Sequence, residues 1–400
     1  MDSWFLLPAL FGAIAIGWFI GRFNPLQIAE QFFSRKEKLN STYLQAINYL
    51  MNAEHDRAAE LFVEILKVNP ETFETHINLG KMLRRQGEVD RAIRIHQNLL
   101  SHTEISPLML DQARYELAKD FYKSGLLCRA ENLLQDMVED KTSYRHECLR
   151  LLVDIYRDEK EWAKAIETAT HLKRKLFTSP SSQDRKLALA QSHFCCELAN
   201  LSLRSSRLAE ARKWLKEASG YNKNCVRASL IQAAMEQNAG DYREAIRVLK
   251  KIPEQNARYL SEALPLLAES YAALNDLSGY RDLLLGYMKQ HQSVSVMLEL
   301  ASVIRKLEGE QPAADFVGRQ LKERPSLRGL LQLIDIHLPH TSGKAQNNLG
   351  LLKNLMQELV AKKPLYRCEK CGFSGKKMHW MCPQCKQWES IGLIQGVEGD

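Results

Sequence analysis

Residues 56–70 read DRAAELFVEILKVNP, and the stretch recurs in altered form down the chain. It returns as DRAIRIHQNLL at 90–100, WAKAIETATHL at 162–172, LAEARKWLKEA at 208–218 and DYREAIRVLKKI at 241–252. Each spaces its apolar residues three or four apart, the pattern of an amphipathic helix. An Ala near the start of each marks the register: Ala58, Ala92, Ala130, Ala165, Ala211 and Ala245, then Ala313 after a unit with Tyr280 in its place. The successive spacings of 34, 38, 35, 46, 34, 35 and 33 predict two inserted loops. A second pattern precedes the first in INLGKMLRRQGEVD (77–90), YELAKDFYKSGLL (115–127), LLVDIYRDEKEW (151–162) and LAESYAALNDL (267–277). Residues 41–326 therefore read as about eight helix–turn–helix units, the first and last imperfect.

This pattern resembles the tetratricopeptide repeat. Small residues such as Gly80 and Ala92 let the two helices of a unit cross closely, and larger ones such as Leu79, Leu83 and Leu99 fill the gap to the next unit. No unit can bury its apolar face alone, so the expected fold is all-α, a superhelix with a concave groove. Such arrays bind peptides or protein surfaces. One subclass grips a terminal carboxylate with Lys and Asn, but Tyr43 and Ile47 stand at those places here. The array has no Gly-rich phosphate loop, HExxH or GxSxG, and its histidines share no ligand spacing, so the reading is a non-enzyme. Cys128, Cys195 and Cys196 read as small fillers, buried or half-buried.

The whole chain of 400 residues is 45% hydrophobic and 26% charged, which excludes a disordered or collagen-like protein. The net charge of +7 is spread along the chain and does not demand a nucleic-acid partner. Nine Cys with four gathered near the end do not make a disulfide framework; they suit a reducing compartment and one metal site.

At the other end, residues 3–21 read SWFLLPALFGAIAIGWFIG, 19 residues without a charge. As a helix they span about 29 Å, the thickness of a bilayer core. No basic residue precedes them and no cleavage context follows, so residues 1–22 read as an uncleaved transmembrane anchor. Arg22, Arg35, Lys36 and Lys38 fall in or beside the basic juxtamembrane linker, 23–40. The positive-inside rule then sends the N-terminus outward and the bulk of the chain into the cytoplasm. Ala9, Ala13, Gly17 and Gly21 form a small-residue stripe that suits close approach of another membrane helix.

A helical extension is expected at 327–363, ending in an amphipathic helix near Lys344–Lys362, and after it the composition changes. Residues 366–391, YRCEKCGFSGKKMHWMCPQCKQWESI, hold Cys368-x2-Cys371 and Cys382-x2-Cys385. Two CxxC turns facing each other build a tetrahedral four-thiolate site for one metal ion. Residues 364–400 are too few for a sufficient core, so the metal should supply most of the folding energy. CxxCG and CPxC turns occur in rubredoxins, which hold redox-active iron, and in zinc ribbons, which are structural. The short ten-residue gap favours structural zinc over iron. Trp380 and Trp388 exceed what so small a domain can bury, so the knuckle is expected to dock on the last repeats. Its five Lys/Arg against four Asp/Glu argue against nucleic acid.

Anchor, array and rubredoxin-like tail together resemble the bacterial lipopolysaccharide assembly protein B family over all 400 residues, on WFLLPALFGAIAIGWFIGR, DRAAELFVEILKVNP and YRCEKCGFSG…HWMCPQCKQW. The resemblance implies a non-enzymatic inner-membrane adaptor. Its implied partners are a membrane ATP-dependent protease, the deacetylase committing precursors to lipid A, and a membrane-embedded regulator; it also admits a homo-oligomer. Two other readings remain: a scaffold for another membrane assembly, which would look the same in sequence, and a rubredoxin-type electron-transfer protein, which would need iron in place of zinc.

Overall fold

A computed structural model describes residues 72–102, 105–172, 181–291 and 293–396, with Gln45, Asn48, Tyr49 and Arg57. The expected anchor, the juxtamembrane linker, the Ala9/Ala13/Gly17/Gly21 stripe and the repeat around Ala58 lie outside the described residues. Among the described residues no helix is long and apolar enough to cross a membrane.

The described chain is a succession of helices: α1 Phe73–Gln86, α2 Val89–Leu100, α3 Pro107–Lys123, α4 Leu127–Glu139, α5 Arg145–Asp158, α6 Trp162–Leu172, α7 Ser182–Arg204, α8 Leu208–Tyr221 and α9 Val226–Asn238. There follow α10 Tyr242–Leu249, α11 Ile252–Asn256, a 3-10 turn at Ala257–Tyr259, α12 Leu260–Ala273, α13 Leu277–Gln290, α14 Val294–Glu308, α15 Glu310–Glu323, α16 Leu327–His337 and α17 Gly343–Lys362. Three short strands close the chain: β1 Tyr366–Cys368, β2 Ser374–Gly375 and β3 Ile391–Leu393. Two compact units divide between Ile155 and Tyr156.

The repeat register is written into the turns. Gly87, Gly125, Lys160, Ser206, Gly240 and Asn275 all have positive φ, between 54° and 93°. Each stands five residues before a register position, from Ala92 to Tyr280. At each turn the next N–H returns to a carbonyl of the preceding helix, as in Glu88 N to Leu83 O (2.9 Å), Arg207 N to Ser202 O (2.8 Å) and Asp276 N to Tyr271 O (3.0 Å). This left-handed cap ends the first helix and aims the second back along it. Three of the six positions carry a side chain and tolerate the αL conformation at a cost of about 1–2 kcal/mol.

The register residues Ala92, Ala130, Ala165, Ala211, Ala245, Tyr280 and Ala313 are all buried, and six of the seven are small enough for a close helix crossing. In the first unit a Cβ on Gly80 would fall 2.4 Å from Nε2 of His96, so glycine there makes room for an imidazole of α2. His96 Nδ1 pairs with the wholly buried Asp120, which also accepts from Arg84 Nη1 (2.7 Å), while Arg84 Nη2 donates to Glu116 (2.6 Å). Charges buried this way survive because every one has a partner.

The spacing of 46 departs from the expected inserted loop. Part of the extra length is helix: α7 runs 23 residues, where most helices here have 11–15. It starts at a capping box in which Ser181 Oγ accepts from Asp184 N (3.1 Å) and the Asp184 carboxylate accepts from Ser181 N (2.9 Å). Cys195, Cys196 and Cys225 are buried, but Cys128, expected to be at least half-buried, is exposed on the first turn of α4.

Candidate metal centre

The knuckle is a three-stranded antiparallel sheet in the order β2-β1-β3, with Tyr366 opposite Gly375 and Cys368 opposite Ile391. Its two CxxC turns are built alike. Gly372 N donates to Cys368 O (3.0 Å) and Lys386 N to Cys382 O (2.9 Å). The residue after each second cysteine is left-handed, Gly372 at φ 78° and Lys386 at φ 58°. This curl turns both thiols of a pair the same way.

The two pairs face each other. Cys368 Sγ stands 3.7 Å from Cys385 Sγ, Cys371 Sγ 3.6 Å from Cys382 Sγ, and all four sulfurs lie within 4.8 Å of one another. Four thiolates at about 2.3 Å from a central ion would be about 3.8 Å apart, so the donor set fits a tetrahedral metal. Cys368 and Cys382 are buried and the other two half-buried. Burial works to raise the Cys368 thiol, but Ser390 and the backbone around Cys371 and Lys370 outweigh it and hold the thiol down to about 6. Around the sulfurs the core contains little beyond Ile391, Tyr366, Phe373 and Met378, too few side chains to hold the fold without a central ion.

The knuckle docks, but on the middle of the second unit rather than on the last repeats. Trp388 stacks on His193 of α7, ring centroids 4.6 Å apart and 8° from parallel, and meets Phe194 edge-on at 5.9 Å. Trp380 packs against Tyr259 at 5.1 Å and joins Met378 on the apolar core of the α9–α15 hairpins. Tyr259 OH donates to Ile391 O (3.2 Å), Tyr366 OH donates to Glu262 (2.8 Å), and Arg258 pairs with Glu369 (3.0 Å) across the bare face of Gly392. Burial pushes the Tyr259 phenol up, which keeps it a neutral donor. The landing place follows from α17, a 20-residue helix that packs on α16 and covers about 30 Å before the knuckle begins.

Sequence reading missed one cluster in this interface. His193 Nε2 lies 3.1 Å from Glu389 Oε1, Cys225 stands close by, and Cys196 Sγ is 3.9 Å from Cys225 Sγ. Separations of 32 and 164 residues hide the set from any spacing rule; only the aromatic excess of the tail hinted that the knuckle would meet the array.

Comparisons with known proteins agree with both parts. A rubredoxin metal binding domain family matches residues 366–392, a tetratricopeptide repeat family matches 43–100, and a tetratricopeptide repeat protein 21 ARM repeat family matches 151–276. Among solved structures, Naa15/Naa10 bound to HypK-THB aligns at a TM-score of 0.51 and 15% identity, over 80% of this chain and 49% of that one, a likeness of fold alone. Lipopolysaccharide assembly protein B of Haemophilus influenzae (strain Rd) is 32% identical over 406 residues, 98% of each chain. The protein of that name from Escherichia coli (strain K12) is also 32% identical, over 395 residues and again 98% of each chain. Near-complete alignment at that identity, on a chain with the repeats and the knuckle, places it in the lipopolysaccharide assembly protein B family.

Proposed function

We propose that this chain is a non-enzymatic adaptor that regulates lipopolysaccharide synthesis, promoting degradation of the lipid A-committing deacetylase by the membrane ATP-dependent protease. The observation that carries this reading is the full-length match to proteins named for lipopolysaccharide assembly. Residues 3–21 would anchor it in the bacterial inner membrane, N-terminus in the periplasm and array in the cytoplasm, with the Ala9/Ala13/Gly17/Gly21 stripe meeting a membrane regulator.

The described surface suits an adaptor. Leu351, Leu352, Leu355 and Leu359 along α17 are 46–61% exposed, an apolar row of the kind that marks protein contacts. Cys368, Cys371, Cys382 and Cys385 would hold one structural zinc ion, which neutralises the thiolates and ties the two turns together.

Depletion of the protein in its native host, with the deacetylase measured by immunoblot, tests the proposal. Deacetylase should accumulate, and the full chain should restore its level while a Leu352→Glu/Leu359→Glu variant should not. An unchanged deacetylase level on depletion overturns the protease–deacetylase assignment. Metal analysis of the purified chain separates zinc from a redox-active iron centre.

A further inference from the structure

Three chemically distinct donors converge where the knuckle meets the array. His193 comes from the middle of α7, Cys225 immediately precedes α9, and Glu389 belongs to the knuckle loop before β3. One ligand atom from each lies within 4.8 Å of the others. His193 and Cys225 are buried and Glu389 is 14% exposed, so the cluster is largely enclosed, with one side supplied by the knuckle.

His193 Nε2 faces Glu389 and is the nitrogen a metal there would take, while Nδ1, on the other side of the ring, is buried without a hydrogen-bond partner. Trp388 stacks flat on the imidazole face, which leaves the ring edge open for a ligand in its plane. The His193–Glu389 separation of 3.1 Å is close to the roughly 3.3 Å between two ligands of one zinc ion, given bonds of about 2.0–2.1 Å. A thiolate, an imidazole and a carboxylate form a mixed donor set that suits zinc or its borderline neighbours.

We propose that His193, Cys225 and Glu389 form a second transition-metal site, separate from the four-cysteine centre, that binds zinc and latches the knuckle to α7 and α9. Two ligands belong to the array and one to the knuckle, so binding cross-links the two. The Cys225 proton leaves to solvent as the thiolate coordinates. A water molecule completes the tetrahedron, and with one thiolate instead of four the site binds more weakly than the knuckle centre.

The test uses the full chain in detergent, with zinc ions alone as the probe and bound metal counted by mass spectrometry after removal of excess. The wild type should bind about two zinc ions per chain. Cys225→Ser and Glu389→Gln should each lose one, while Cys195→Ser, a buried neighbour outside the cluster, should lose none. Hydrogen exchange of residues 380–394 should slow when the second ion binds, and not in Cys225→Ser. A wild type that stops at one ion, or a Cys225→Ser chain that still binds two, overturns the proposal. A Cys371→Ser chain that binds as many ions as the wild type would instead overturn the four-cysteine centre.

Discussion

Replacing Trp388 with Ala separates docking of the knuckle from its folding. A fully buried Trp→Ala change costs about 3–5 kcal/mol, and Trp388 is half-buried, so about half that is at stake. Loss of the stacked His193 contact and the edge-on Phe194 contact adds about 0.5–1.5 kcal/mol. The sum is roughly 2–4 kcal/mol on the docking equilibrium, or about 30- to 700-fold at 1.4 kcal/mol per factor of ten. Amide hydrogen exchange read by mass spectrometry on the full chain should therefore accelerate by that factor in Tyr366–Cys368 and Ile391–Leu393, while exchange in α14–α16 stays unchanged. With no zinc added for the second site, His193→Phe keeps the stacked ring and should fall well short of that acceleration. The four-cysteine metal must stay bound, since Trp388 is not among the four thiolates; only an ion held between Glu389 and the array would leave with docking. If exchange in β1 and β3 is unaltered in Trp388→Ala, the aromatic contacts do not hold the knuckle. If the metal is lost along with protection, the side chain supports the knuckle's own fold and the docking argument fails.

Three further outcomes follow from the same geometry. Cys382→Ala removes a buried ligand and should cost the knuckle its metal and its protease resistance; a variant that keeps both would refute the four-thiolate centre. Gly80→Ala drives a Cβ against His96, which Asp120 holds in place, and should destabilise the first unit by about 1–3 kcal/mol in chemical denaturation, so an unchanged midpoint would contradict the close crossing of α1 and α2. Burial alone would raise the Glu116 carboxyl, but hydrogen bonds from Lys119 and Arg84 outweigh it and hold it below the ordinary value of 4.5. Its contribution is then present above that value and lost as pH falls through the lower folded one. Exchange protection in α1–α4 should decline on acidification in that window, and Glu116→Gln should flatten the slope.

The repeat, its register and the four cysteines were legible in the chain alone because each is local. A turn five residues before Ala92 or Ala211, and thiols three residues apart in Cys368 and Cys371, are set by backbone geometry over a few positions. The buried register residues follow, since the position faces the partner helix of its unit, with Ala at six of the seven and Tyr280 at the other. Sequence also showed that Trp380 and Trp388 needed cover, but not where they would find it. That depended on how α16 and α17 fold back, a sum of many weak contacts that no motif encodes. Tertiary structure alone brought Glu389 to His193 and Cys225, because their proximity arises only when the knuckle seats on α7. Likewise it turned part of an expected loop into the long helix α7 and left Cys128 facing water, where packing neighbours rather than helical periodicity decide burial.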